Sequence, residues 1–516
     1  MRKKTGRRVF RKLAAAAALF SVLASMTLGS MTAQASSIIT NETPQTGSLT
    51  LTKTDGEGNA LQGAQFTLYK IMDLTPGQAV GEYAKYSVVP HYASELQGVS
   101  PDSLGNYSAA EIEAKVNELL KKTNSDTNSI LVPATNADGQ ATKTGLALGY
   151  YLVVETVTPA GYVSGRPFFV AIPSTNSNID SADGTDWQYD ITVAAKNSEV
   201  PLEKKIIDED DTLVDADTVT VGDNVNYRVQ TTIPNYADEY FGSGGTVIFE
   251  LKDTMSAGLS FNDDIRVFVD GTEVSESTST WTHTASSSGY KLSFATEFLK
   301  ANRGKLVEIT YSAKVTEDAI IGTDGNTNKV VLEFSNNPQN LCKTDKKDDE
   351  TVVYTFAIAI EKFAGSDYLE GAKFALYSDA ACTQEVLSAL TTDASGIITF
   401  ERVAAGTYYL KELQSPEGYK LLTNPIKVEI EATYTNGVLD GGFTLTVDGT
   451  VIAATSGAQI TRYDLTAGIA TIAVENQKGF TVPETGGMGI ILFLLVGLGG
   501  MAILSIVMIK KRNKAS

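Results

Sequence analysis

The chain has little of what most catalytic centres are built from. Its 516 residues include two Cys and two His, His91 and His283. So few thiol and imidazole groups argue against zinc sites, iron–sulfur clusters and most His-based triads, and no metal or cofactor is expected. Positive charge is scarce as well. Against 61 Asp+Glu stand 42 Lys+Arg, a formal net charge of −19, which makes nucleic acid a poor partner. Core-forming material is plentiful: 42% apolar residues, 22 Tyr and 19 Phe disfavour wholesale disorder. At about 150 residues per domain, the length suggests about three domains.

Both ends read as addresses. Met1–Lys12 carries seven Lys/Arg and no acid, an apolar run follows from Leu13 to Leu28, and Ala33-Gln34-Ala35 forms an A-x-A cleavage site. Residues 1–35 are therefore expected to be a secretory signal peptide, with Ser36 starting the mature chain. Export puts Cys342 and Cys382 in a compartment where a disulfide can form, although the sequence does not say whether they are close. Near the other end, Val482-Pro483-Glu484-Thr485-Gly486 precedes an uncharged 22-residue stretch, Met488 to Ile509, and then Lys510-Lys511-Arg512-Asn513-Lys514. At 1.5 Å per residue that stretch reaches about 33 Å, enough for a transmembrane helix, and the basic cluster suits the cytoplasmic side. The three parts, in this order over residues 482–516, resemble the cell-wall sorting signal of Gram-positive surface proteins, LPxTG in its common form. Val482 stands where that form has Leu. The resemblance implies cleavage between Thr485 and Gly486 by a sortase, with the Thr485 carbonyl passed to an amine.

Between the ends, two segments repeat. Lys53 is followed by Leu61-Gln62-Gly63-Ala64-Gln65-Phe66-Thr67-Leu68-Tyr69, and Lys362 by Leu369-Glu370-Gly371-Ala372-Lys373-Phe374-Ala375-Leu376-Tyr377. Further on, Glu155, Pro159, Gly161 and Tyr162 recur at the same spacing as Glu412, Pro416, Gly418 and Tyr419. Internal duplication is the simplest account. Local patterns are mostly short strands rich in Val, Ile, Thr, Tyr and Phe, broken by Gly, Asp and Asn. One helix is expected, opened by the capping box Ser108-x-x-Glu111, with Ile112, Val116, Leu119 and Leu120 on one face. The fold class is all-β: tandem immunoglobulin-like or Cna-B-type β-sandwiches over residues 45–198, 199–350 and 351–480, with a short helix inserted in the first. The charged run Lys343 to Glu350 falls at the second boundary.

Several charges lie on the wrong face. In a strand, residues of equal parity share a face. Leu49, Leu51 and Lys53 are in phase; so are Leu202, Lys204 and Ile206, and Phe356, Ile358, Ile360 and Lys362. Asn closes the last strand of each domain in the same way, with Asn197 after Ile191-Val193-Ala195 phasing, Asn336 after Val330, Leu332 and Phe334, and Asn476 after Ile472 and Val474. Between them lies an acid in phase with the core: Glu155, Asp253 and Glu412. A single such Lys is most simply a side chain that snorkels to the domain edge, or half of a buried ion pair. The threefold recurrence of Lys, acid and Asn has a chemical use. Burial lowers the Lys pKa and frees a nucleophilic amine. Burial also raises the pKa of the acid, which can then donate to the Asn carbonyl and shuttle a proton to leaving ammonia. The product is a Lys–Asn isopeptide bond, formed once, with proximity supplied by the fold.

At this point the chain resembles the isopeptide-forming, sortase-assembled major pilins of Gram-positive bacteria. The outer domains resemble the Cna-B type and the middle domain the pilin D2 type. The resemblance implies three pairs: Lys53 with Asn197 assisted by Glu155, Lys204 with Asn336 assisted by Asp253, and Lys362 with Asn476 assisted by Glu412. Parity alone chooses Lys204 over Lys205 and Asn336 over Asn337. Lys196, beside Asn197, has the opposite parity and points outward. The run Trp187-Gln188-Tyr189-Asp190-Ile191-Thr192-Val193-Ala194-Ala195-Lys196 resembles the pilin motif WxxxVxVYPK, with Ala194 and Ala195 in place of Tyr and Pro. That implies attack by Lys196 of one subunit on the Thr485 acyl group of another. The implied product is a covalent, cell-wall-anchored surface fibre for adhesion. The implied partners are a pilin-specific class C sortase, copies of the chain, minor pilins, peptidoglycan through a housekeeping sortase, and a host surface ligand. The alternatives are a wall-anchored monomeric adhesin, which needs no Lys196, and a secreted enzyme, which needs a catalytic cluster that the sequence does not offer.

Overall fold

The computed structural model describes residues 44–76, 84–99, 109–175, 187–242, 245–435, 438–452, 462–464 and 467–479. The signal segment, Ser108, the sorting pentapeptide with Thr485, the apolar stretch 488–509 and the basic tail lie outside them. Among the described residues no helix is long and apolar enough to cross a membrane.

The chain is mostly β, built of several sandwiches with short helices. It divides into two compact units. One holds the described residues up to Ile320 with Asp324–Tyr354 and Tyr434–Leu439; the other holds Ile321–Thr323, Thr355–Thr433 and the described residues from Asp440 on.

The first unit contains two sandwiches. In the first of them, the opening strand Thr46–Thr54 alternates strictly, and its inward side chains are Leu49, Leu51 and Lys53. It lies between a parallel neighbour, the closing strand Asp190–Lys196, and an antiparallel one, Gln140–Ala147. The facing sheet carries Gln65–Thr75 and the acid-bearing strand Gly149–Val157. The latter reads as a continuous apolar run because it is buried on both faces. Tyr151 and Val153 pack against Leu49 and Leu51, while Tyr150, Leu152 and Val154 meet Val116 and Leu119 of the helix Ala109–Thr123. The helix therefore covers the outer face of one sheet and does not enter the sandwich core.

The middle sandwich is assembled differently. Its opening strand, Leu202–Ile207, pairs with Asn224–Thr232, which pairs with Leu306–Val315. The opposite sheet holds Phe249–Met255, Asn326–Ser335 and Thr344–Tyr354. The charged run Lys343 to Glu350 is thus no linker. It forms most of the strand Thr344–Tyr354, which extends past residue 350 and pairs along its whole length with Asn326–Ser335. Its alternate side chains Lys346, Asp348 and Glu350 are exposed, Asp345, Lys347 and Asp349 on the other face are half-buried, and the later residues Val353 and Tyr354 are buried.

The second unit repeats the hydrogen bonds that frame the opening strand of the first sandwich. Its opening strand Phe356–Ala364 runs parallel to the closing strand Ile469–Glu475. Lys362 N–H donates to Gly396 O as Lys53 N–H does to Gly139 O, and the Tyr408 hydroxyl donates to Ala404 O as that of Tyr151 does to Ala147 O. Thr392 and Thr135 brace the same turn through Leu369 O and Leu61 O. Cys342 and Cys382 are both free, so the disulfide that export permits is not made. Each Cys sits in a polar surface turn of its own unit, Cys342 fully exposed.

Candidate functional site: three buried lysine centres

Lys53, Lys204 and Lys362 are each 0% exposed. A buried ammonium is tolerated only with close partners, and each has them. In the first sandwich, Lys53 Nζ donates to Glu155 Oε2 at 2.8 Å and to Asn197 Oδ1 at 2.5 Å. Asn197 Nδ2 donates to Glu155 Oε1 at 2.8 Å, and Asn197 Oδ1 also accepts the Gly165 N–H at 2.9 Å. The register makes this meeting. Lys53 lies opposite Ala195 on the parallel closing strand, and Asn197 N–H donates to Thr54 O just beyond the strand end. A register shift between Gln65 and Phe66 brings Glu155 opposite Phe66, whose ring lies 5.5 Å from Lys53 Nζ. Burial lowers the Lys53 amine from its ordinary range, with Glu155 opposing that shift.

The second unit builds the same centre. Lys362 Nζ donates to Asn476 Oδ1 at 2.6 Å and lies 3.3 Å from Glu412 Oε1. Asn476 Nδ2 reaches Glu412 Oε1 at 3.4 Å and Ser415 Oγ at 3.1 Å, and Glu412 Oε2 accepts the Leu422 N–H at 2.7 Å. Phe374 takes the place of Phe66 at 5.4 Å. Burial lowers the Lys362 amine, again against Glu412. In both outer centres the acid faces the two nitrogens and the Asn oxygen faces the lysine. The expected contact from acid to Asn carbonyl is absent there.

The middle centre departs further. Lys204 Nζ donates to Asp253 Oδ2 at 2.5 Å and to the Tyr311 hydroxyl at 2.7 Å, between the rings of Tyr227 and Tyr311. The Tyr311 hydroxyl donates to Asp253 Oδ2 at 2.5 Å and accepts from Asn328 Nδ2 at 3.2 Å. Lys205 is half-buried and ion-pairs with Asp215, which leaves Lys204 as the core lysine. Asn336 is not at this centre. Asp253 pairs with Val330, so Asn336 lies six residues further on, about 20 Å away at roughly 3.3 Å per residue. Its backbone carbonyl accepts from Thr158 Oγ1 of the first sandwich. Asn328, of the same parity as Asn336, is the amide that joins this centre, through the Tyr311 hydroxyl that Lys204 also meets. Parity names a face and not a position along it. Asp253 Oδ1 and Asn328 Oδ1 are buried without a partner among the described residues. Burial raises the Asp253 carboxyl and lowers the Lys204 amine, each opposed by the other group. Sequence reasoning missed Tyr311, Asn328 and Gly165. The first hides in an apolar-phased strand with Val307, Ile309, Ala313 and Val315, and the last two carry no local signal of their own.

Comparison with known proteins places the chain in a family. The SpaA prealbumin-like fold domain matches residues 47–186 and 357–440, and the Gram-positive pilin backbone subunit 2, Cna-B-like domain, matches residues 221–338. The chain belongs to the Gram-positive backbone pilin subunits. The prealbumin-like description falls on the outer sandwiches and the Cna-B-like one on the middle, whereas the sequence reading gave the Cna-B type to the outer pair. This pilin is 27% identical over 404 residues to the trypsin-resistant surface T6 protein of Streptococcus pyogenes serotype M6, covering 66% of this chain and 73% of that one. It is 27% identical over 477 residues to fimbrial subunit type 2 of Actinomyces naeslundii, covering 80% and 82%. Among solved structures, the T6 backbone pilin of S. pyogenes serotype M6 matches with a TM-score of 0.58 at 22% identity, over 84% of this chain and 99% of that one. The major pilin SpaD of Corynebacterium diphtheriae matches with a TM-score of 0.53 at 22% identity, over 84% and 98%. The pilin is a structural subunit of the cell surface and not an enzyme.

Lys196 ends the closing strand of the pilin's first sandwich. Trp187, Tyr189, Ile191, Val193 and Ala195 pack on the core, and the alternate residues, Lys196 among them, are exposed. Its ammonium makes no hydrogen bond or ion pair among the described residues.

Proposed function

We propose that this backbone pilin is joined head to tail by a sortase, the Lys196 amine of one subunit attacking the Thr485 acyl group of the next. We further propose that each sandwich seals itself with a Lys–Asn isopeptide bond. The pairs are Lys53–Asn197, Lys204–Asn328 and Lys362–Asn476, assisted by Glu155, Asp253 and Glu412. The observation that carries this is the pair of matched outer centres: a fully buried lysine in hydrogen-bond contact with both a buried acid and a buried Asn, built twice in the same register. Proton transfer from ammonium to carboxylate gives a neutral amine and a neutral acid, which is the form that burial favours. The amine attacks Cγ of Asn, ammonia leaves, and an amide remains; the fold supplies the proximity. In the middle centre, a proton on Asp253 aimed at Asn328 Oδ1 satisfies both orphaned oxygens at once.

The family and the exposed, unpaired Lys196 support polymerisation. Sortase of the pilin-specific class, copies of the chain and minor pilins follow as partners, with peptidoglycan attachment through residues 482–486 and adhesion as the service rendered. Domain limits near 45–198, 199–354 and 355–480 fit this reading. The test is a denaturing gel of wall extracts from wild-type and Lys196→Ala cells. A high-mass ladder that collapses to monomer in the variant is expected. A ladder in both moves the acceptor elsewhere, and a single band in both indicates a wall-anchored monomeric adhesin. Intact mass of residues 36–485 tests the internal bonds: a chain short by three ammonias is expected, and the full unmodified mass would sink them.

A further inference from the structure

We propose that the Gly165 N–H is the oxyanion donor for the Lys53–Asn197 bond, and that the middle sandwich holds it in place. This rests on the isopeptide reading above. In the first centre Glu155 spans both nitrogens, Oε2 on Lys53 Nζ and Oε1 on Asn197 Nδ2, each at 2.8 Å. That leaves the acid to carry a proton from the attacking amine to the leaving one. The carbonyl oxygen is left to the Gly165 N–H at 2.9 Å. The steps balance. Lys53 gives one proton to Glu155 and its lone pair attacks Asn197 Cγ. The carbonyl π pair moves to Oδ1, where the Gly165 N–H faces the new charge. Through Glu155 one of these two protons reaches Nδ2, which leaves as ammonia, the other stays on the Glu155 carboxyl, and Oδ1 regains its double bond. The C-terminal centre differs: among the described residues no backbone N–H meets Asn476 Oδ1, which accepts from Lys362.

Position 165 needs a glycine because a Cβ there would lie 2.6 Å from Lys196 O. The segment around it is fastened to the middle sandwich on both sides. Ser164 Oγ and the Tyr240 hydroxyl meet at 2.9 Å in a buried contact, and Arg166 Nη2 donates to Asp238 Oδ2 at 3.1 Å. Val163 belongs to the core of the middle sandwich. Just after Glu155, Thr156 O accepts from Asn337 Nδ2 and Lys343 Nζ, and Thr158 Oγ1 donates to Asn336 O. Donor and acid of the first centre are thus both held by groups of the next sandwich, so the first bond closes only after the middle sandwich has folded and docked.

The experiment follows bond formation in chains of residues 36–485 made in a cell-free system and quenched at intervals, with the linked peptides quantified by mass spectrometry. Lys362–Asn476 is the internal control. The double variant Tyr240→Phe, Arg166→Ala loosens the segment and is expected to slow Lys53–Asn197 by about tenfold or more. Gly165→Ala is expected to slow it by roughly a hundredfold, the usual cost of losing one such donor. Arg166→Lys, which keeps a cation for Asp238, recovers most of the rate. Lys362–Asn476 closes at the wild-type rate throughout. Should Gly165→Ala leave the first sandwich protease-sensitive, the double variant decides. Equal Lys53–Asn197 rates in the wild type and a folded double variant overturn the proposal. Absence of that link from the wild-type chain overturns the isopeptide reading itself.

Discussion

The outer and middle sandwiches solve one problem by two geometries. In the outer pair, Lys and Asn sit on neighbouring parallel strands of one sheet, the first and last strands, and the acid reaches across from the other sheet. In the middle, Lys204 and Tyr311 come from one sheet and Asp253 and Asn328 from the other. An outer bond therefore ties the point of chain entry to the point of exit. The middle bond staples two sheets together and leaves the chain after Asn328, including the strand Thr344–Tyr354, outside the closed loop. The comparison teaches that a shared vocabulary of Lys, acid and Asn does not specify which segments of a sandwich become inextensible.

The largest expected effect falls on the outer pair. Glu155→Gln and Glu412→Gln each block their own bond only, so each chain keeps one ammonia in its intact mass. Each also leaves a buried lysine without its counter-charge, which costs about 3–5 kcal/mol beyond the lost cross-link and is read in a denaturant titration. If either variant stops both outer bonds, the centres are not independent copies. Next comes the middle bond. Asn328→Ala falls short of its calculated mass by two ammonias in place of three and loses about 5 kcal/mol, the scale of a cross-link closing a loop of a little over 100 residues; Asn336→Ala keeps the deficit of three. In single-molecule stretching, the outer sandwiches stay closed while the middle one releases the segment from Asn328 to Tyr354, about 90 Å at roughly 3.4 Å per residue. The Asn328→Ala chain releases the whole middle sandwich. Equal extension from both chains breaks the contrast between the two geometries.

The smallest effect is confined to the surface of the middle sandwich. Partial burial disfavours the His283 imidazolium, but hydrogen bonds to Asp263 and Glu276 outweigh that and raise its pKa above the ordinary value. A raised folded pKa means that the folded state binds more protons, so the contribution is full below the ordinary imidazole range and is lost as pH rises through the folded pKa. Its size is below about 1 kcal/mol, as for other partly exposed pairs. His283→Gln should flatten the pH dependence of melting in that window, while the C-terminal sandwich, which contains no His, keeps its own.

Much of this was legible beforehand because strands encode a face. The inward phase of Lys53, Lys204 and Lys362 and the outward phase of Lys196 follow from period-two alternation, and the duplicated outer modules from repeated segments at equal spacing. The helix Ala109–Thr123 was legible from its apolar spacing, though not the sheet that it covers. Asn336 was misread because Asn328 and Asn336 share a parity, and only strand pairing tells how far along the sheet each lies. Tyr311 was invisible because a buried Tyr among Val and Ile looks like core. The charged run at 343–350 looked like a boundary because a strand whose exposed and half-buried positions are nearly all charged is as polar as a linker.

The sequence by itself determined which residues turn inward, that two modules are copies, and that lysine, acid and asparagine recur in phase with each core. Those are properties of side-chain periodicity, which one chain carries locally. Only the tertiary structure decided which asparagine meets Lys204, that a tyrosine stands between them, and that Gly165 of the first sandwich is held by the second. Those depend on register and on contacts between distant strands, and no local pattern stores them.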